Sequence, residues 1–228
     1  IGVRLVGSEM CIRDSYINMQ NQIFISGQGY LPIEDIIQVG RRTSCLGLIN
    51  GKMGIAIALF RYARLSGELT CGDVGCELLD EIYEHLDSSI PISFGSGLWG
   101  IGWGIEYLIQ NGYMEGDADE VLKDIDQCAA RCIHAYGMSG LSLNNGIVGL
   151  GRYILIRIIP TFLKGDTVSS AFLKEYLIYL IDWLEERLEY TNESIDDLLD
   201  FLFDLYPTGF YRTKVSVLIE KCMNRYNL

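Results

Sequence analysis

Apolar residues recur along this chain with the 3.6-residue period of helices, in two alternating textures. Three nearly continuous apolar runs begin behind Gly51, Gly97 and Gly146. Amphipathic acidic runs lie between and after them. Residues 76–86 place Leu78, Leu79, Ile82, Tyr83 and Leu86 at helical spacing. Residues 119–136 repeat the plan with Val121, Leu122, Ile125, Cys128, Ala129 and Cys132, and residues 171–188 form a third such run. Residues 195–205 and 212–224 are two final helices, and no run after residue 40 alternates as a strand does. The pattern predicts an all-α chain of about eight helices.

The glycine-headed runs resemble one another. Gly51-Lys52-Met53-Gly54-Ile55-Ala56, Gly97-Leu98-Trp99-Gly100-Ile101-Gly102 and Gly146-Ile147-Val148-Gly149-Leu150-Gly151 share one plan, a glycine pair three apart followed by Ile or Leu and then Ala or Gly. Their leading glycines are 46 and 49 residues apart, the period of stacked two-helix repeats. In an arc of helical hairpins, inner helices are surrounded by protein and outer helices show one face to water. The apolar runs are therefore expected inside and the acidic runs outside. Glycine at the start of an inner helix allows close backbone approach and positive φ in the entry turn. Gly100 and Gly104 lie within a helix, where each costs about 1 kcal/mol relative to Ala, so a compensating packing contact is expected.

At about 100° per residue, Gly97, Gly100 and Gly104 share one face, and Trp99, Trp103, Glu106 and Gln110 fall on the opposite one. That aromatic-and-carboxylate stripe is a candidate cavity lining. The plainer reading places the tryptophans in the core and has Glu106 cap a neighbouring helix, since buried acids are usually paired. The equivalent faces carry Met53, Ile57, Phe60 and Arg64 in the first run, and Val148, Arg152, Leu155 and Ile159 in the third. Glu106 could then pair with Arg152 or Arg64. Asn144 and Asn145, in the turn ahead of Gly146, join the candidate lining.

Composition narrows the function. Of 228 residues, 18 are Lys or Arg and 30 are Asp or Glu, a net charge of −12. A nucleic-acid binder needs clustered cations, and anionic membranes repel such a surface. No nucleic-acid or membrane partner is expected. Arg152 and Arg157 interrupt the most apolar stretch, around residues 146–163. Seven cysteines, an odd number without a secretory signal, read as reduced thiols in a cytoplasmic protein. Cys128 and Cys132 share a helical face as a bidentate pair would, and both also fit the apolar phase as core thiols. Cys71 and Cys76 read the same way. His85 and His134 end acidic helices, where an imidazolium is favoured. No metal site is expected from these residues. Residues 1–15, IGVRLVGSEMCIRDS, resemble a translated sequencing adapter and are set aside as non-native. Residues 16–228 are then a single domain, expected to be part of a longer protein.

The repeated glycine-headed helices, GLINGKMGIAIALFRYA and GLWGIGWGIEYL, resemble the lanthionine synthetase C-like (LanC-like) family over about residues 45–160. The resemblance implies an α,α-toroid of helical hairpins, here a partial one of about three hairpins plus C-terminal helices. It also implies kinship with peptide-modifying enzymes that close thioether rings. In those enzymes a zinc ion held by two Cys and one His activates a substrate thiolate. The family's Trp-Cys-x-Gly and Cys-His-Gly have no counterpart here. The corresponding turns read Leu143-Asn144-Asn145-Gly146 and Phe94-Gly95-Ser96-Gly97. No cofactor is therefore expected on this chain, and zinc only where further repeats supply the ligands. The alternatives are a non-catalytic scaffold for a substrate or leader peptide, and an α,α-toroid glycosidase. The latter needs two carboxylates facing each other across a cavity.

Overall fold

The computed structural model describes residues 32–87, 89–135, 140–164, 168–191 and 194–225. Every regular element among them is a helix. Residues 1–15, with Cys11, and Tyr136 at the end of the expected 119–136 run lie outside the described residues. The chain divides into two compact units, one within residues 20–126 and the other within 127–228.

The first unit contains α1 (Ile33–Arg42), α2 (Lys52–Ser66), α3 (Leu69–Glu84), α4 (Leu98–Gln110) and the single turn α5 (Ala118–Val121). It ends in the first residues of α6 (Lys123–His134). Helices α2 and α3 form a hairpin closed at Gly67, whose φ of 79° is a left-handed cap that glycine adopts without strain. Ile55, Ala56 and Leu59 of α2 meet Cys71, Val74 and Leu78 of α3 in a buried core, and Ile33, Ile36 and Ile37 of α1 cover it. Lys52 opens α2, where the helix dipole disfavours a cation. Its buried amine is compensated by the Gly40 carbonyl at 3.0 Å and the Glu81 carboxylate at 2.6 Å, which also tie α1 and α3 to the start of α2.

Helix α1 is an element the pattern reading passed over, although Ile33, Ile36, Ile37 and Gly40 follow an i, i+3, i+4, i+7 spacing. The expected helix over residues 119–136 is broken. Its first turn is α5, capped by Asp117, whose side chain accepts from the Asp119 N–H at 2.9 Å. The backbone then opens at fully buried Leu122 (φ −98°, ψ 6°) before α6 begins.

The second unit holds the rest of α6, then α7 (Ile147–Ile158), the single turn α8 (Thr161–Lys164) and α9 (Val168–Leu188). It closes with α10 (Asp196–Leu205), a 3₁₀ turn (Tyr206–Thr208) and α11 (Arg212–Arg225). All twelve residues of α7 are buried, packed by α9 and α10. The face of α9 with Leu173, Leu177, Leu180, Ile181 and Leu184 is buried, while its Glu185 receives Lys214 and Lys221 from α11. The second unit thus has one helix, α7, buried on every side, while in the first unit α4 is mostly buried with Leu98, Ile105 and Ile109 half-buried along one face. No described helix is long and apolar enough to cross a membrane.

Candidate functional site

The three glycine turns share one backbone construction. Each leading glycine is the N-cap of a buried helix, with extended dihedrals: φ/ψ of −119°/177° at Gly51, −133°/−156° at Gly97 and −110°/−172° at Gly146. In each, the first helical N–H reaches back seven residues to a loop carbonyl: Lys52 to Cys45 at 2.8 Å, Leu98 to Pro91 at 3.0 Å, and Ile147 to Gly140 at 3.0 Å. The first of the donors that a helix start leaves open is thereby met by the loop's own backbone in all three turns, and Met53 and Gly100 add bonds to the Leu46 carbonyl at 3.2 Å and the Ser93 carbonyl at 3.4 Å.

The same geometry corrects the expected reason for glycine. All three N-cap glycines have negative φ, so left-handed freedom is not what they supply. In the first turn the positive φ falls on Asn50, at 56°. What each glycine supplies is the missing side chain. A Cβ at Gly51, Gly97 or Gly146 would drive into loop backbone, in each case close to the carbonyl six residues earlier. Gly54 and Gly149 lie buried one turn further on. The first two turns also touch. The Ile49 N–H donates to the Gly95 carbonyl at 2.8 Å, and Gly47 leaves no room for a Cβ against the Ser96 backbone.

On α4 the two faces separate as the spacing implied. Gly100 abuts the Phe94 carbonyl and Leu48, and Gly104 abuts Met53 and Ile57 of α2. The other face forms an aromatic column. Trp103 stacks on Tyr107 (5.4 Å between centroids, 7° between planes), with Phe94 edge-on to Trp103 at 6.3 Å. Tyr107 stacks on Tyr113 at 6.4 Å, and the Arg64 guanidinium lies over the Tyr113 ring at 3.5 Å. Trp99, Trp103 and Glu106 are buried, and the stripe reaches water at Gln110. The Gln110 amide, on the same helix, donates to the Glu106 carboxylate at 2.8 Å.

Both guanidinium groups expected opposite Glu106 are engaged elsewhere. Arg64 donates to the Asn111 and Gly112 carbonyls at 2.9 Å each, closing the end of α2 onto the loop after α4. Arg152 pairs with Asp204 of α10 at 2.6 Å, with both side chains buried. Asp197, also on α10, accepts the Leu143 N–H at 3.2 Å and so steadies the turn that carries Asn144 and Asn145, which are exposed. Within the first unit, Glu106 is the buried carboxylate among the described residues, and Asp124 is exposed. Asp126 is half-buried.

The thiols and imidazoles do not fit a zinc site. The turns at Gly97 and Gly146 present Ser96 and Asn145, which carry no soft donor. Cys71 is buried with its Sγ 3.9 Å from Glu68, and Cys76 points to solvent. Burial, together with neighbouring Cys128, pushes the Cys132 thiol up to about 11, away from the thiolate that zinc binds. The His85 Nδ1 lies 2.8 Å from the Glu81 carbonyl, and His134 meets the Tyr176 ring edge-on at 5.6 Å. Among the described residues no three His, Cys, Asp or Glu gather as a metal would need.

No family model matches the chain, and no curated protein or solved structure matches it significantly. Sequence reasoning missed the Arg152–Asp204 pair, whose members are 52 residues apart with no local signal joining them. It also missed the stacked ring pair Tyr107–Tyr113, although Trp103, Tyr107 and Gln110 share a helical spacing that a search for aromatics would have marked.

Proposed function

We propose that this chain is a LanC-like α,α-toroid protein that binds peptide, kin to the thioether cyclases, with no ring closure by its own side chains. The observation that supports the reading is the recurrence of one turn three times: an extended N-cap glycine, the seven-residue backbone bond, and a buried helix behind it. A toroid needs such a unit, because each inner helix must start at the same level against its neighbour's turn. The contact of Gly47 and Ile49 with the turn at residues 95–96 has that character. Peptide binding is the share of the family's work that asks for no zinc ligand, and a net charge of −12 selects a cationic peptide.

Calorimetric titration tests this. The full chain, its helicity checked by circular dichroism, is titrated with a lysine-bearing peptide rich in Ser, Thr and Cys, and with its acidic counterpart. Saturable binding of the cationic peptide that weakens with salt is expected. A folded chain that gives no heat with either peptide would refute the binding reading. A dehydrated peptide that loses a free thiol without a change of mass, in the presence of zinc, would overturn the non-catalytic part.

A further inference from the structure

We propose that Cys128 and Cys132 form a dithiol site for electrophiles that bridge two sulfurs, of which trivalent arsenicals are the chemical class. The two residues are one turn apart on α6, so their side chains are neighbours on one face. Neighbours one turn apart on a helix have Cβ atoms about 5–6 Å apart, within reach of a single atom that bonds both sulfurs. Cys128 is buried in the second unit and Cys132 is half-buried, so the pair opens toward solvent at the Cys132 side. Cys71 and Cys76 are five apart; one is buried beside Glu68 and the other points to water, so they make no such pair.

The chemistry separates this site from a zinc centre. Zinc needs deprotonated sulfur and a third and fourth ligand. An arsenoxide reacts with protonated thiols and needs only two. With phenylarsine oxide, two arsenic–sulfur bonds form, the arsenic–oxygen bond breaks, and the oxygen leaves with both thiol protons as one water. No electrons are exchanged, so no oxidant or reductant is required. The helix supplies pre-orientation, because the second bond closes within a rigid turn and is effectively intramolecular.

The test treats the full reduced chain with one equivalent of phenylarsine oxide. Intact mass, a count of free thiols and peptide mapping are the readouts. A single adduct that consumes two thiols, maps to the peptide spanning residues 128–132, resists excess monothiol and yields to a dithiol is expected. C132S, at the more exposed position, should keep its helicity and release the arsenical about 100-fold more readily to monothiol. C71S/C76S should retain parental binding. An adduct that monothiol strips from the parent chain, or a bridge that maps to other cysteines, would overturn the assignment. C128S serves as a second variant, and a monothiol-resistant adduct in both single variants would overturn it too.

Discussion

Gly100 and Gly72 both lie inside helices of the first unit, α4 and α3, so alanine at either position gains about 1 kcal/mol of intrinsic helix stability. The two sites differ in what the new methyl group meets. At Gly72 a Cβ finds only the Ala63 methyl at 3.7 Å, an ordinary van der Waals contact. At Gly100 it would lie 1.9 Å from the Phe94 carbonyl oxygen and 2.9 Å from the Leu48 Cβ. The Phe94 carbonyl belongs to the loop whose Pro91 and Ser93 carbonyls cap α4, so it cannot give way without disturbing that cap. Relieving the clash takes a shift of about 1 Å. Overpacking of this kind costs about 1–3 kcal/mol, and loosening a cap bond adds about 1 kcal/mol. G72A is therefore expected to stabilise by about 1 kcal/mol, and G100A to destabilise by about 2 kcal/mol after its propensity gain. Urea unfolding followed by tryptophan fluorescence reads the difference, because Trp99 and Trp103 report on the first unit and only Trp183 lies elsewhere. The gap of about 3 kcal/mol corresponds to about 6–12 °C in Tm for a chain of this size. A G100A variant as stable as the parent, or one that moves with G72A, would refute the claim that this glycine is fixed by close approach.

Two further outcomes concern the second unit. Truncating one member of the buried Arg152–Asp204 pair, as in D204A, should cost about 3–5 kcal/mol, while the double change R152M/D204A should recover part of that loss, both read by urea midpoints. Partial desolvation of Asp200, at an exposed position of α10, is opposed by Arg152 and reinforced by Asp204, Asp197 and Asp196, and raises its carboxyl above the ordinary value of 3.8. The folded state therefore holds that proton more tightly than the unfolded chain. The contribution is fully present below pH 3.8 and is lost as pH rises through the folded value. D200N should raise the unfolding midpoint at pH 7 and bring no gain at a pH well below 3.8, so an equal gain at both would contradict the assignment.

Much of the helical plan was legible because burial leaves a periodic trace. The apolar run of α7 and the Leu173–Leu184 face of α9 could be read from spacing alone. The break at Leu122 could not, since a buried leucine looks the same in a helix and in a one-residue turn. Nor could the partners of Glu106, Arg64 and Arg152. Helical spacing says which face a charge occupies, and so put Gln110 beside Glu106, but not which neighbour arrives there: for Arg64 and Arg152 the arriving groups were two loop carbonyls and Asp204. The twin faces of α4 were readable because glycine and tryptophan are extremes of size, and a helix packed closely on one side can carry bulk on the other.

The turns explain how scaffold and chemistry come apart in such a chain. Each helix start is closed by backbone alone, through a carbonyl seven residues upstream, and the only side-chain requirement is that the N-cap have none. The residues just before that glycine differ from turn to turn. They read Ile49-Asn50, Gly95-Ser96 and Asn144-Asn145, three different pairs on one backbone plan. At the first two turns they carry duties of their own: Asn50 holds the positive φ, and Ile49 and Gly95 pair through their backbones. The resemblance to thioether cyclases rests on glycines that the packing compels, whereas metal chemistry would rest on side chains that differ from turn to turn. A chain can keep the first without the second, and the carboxamides and hydroxyl at these turns carry hydrogen-bond donors and acceptors but no soft metal ligand.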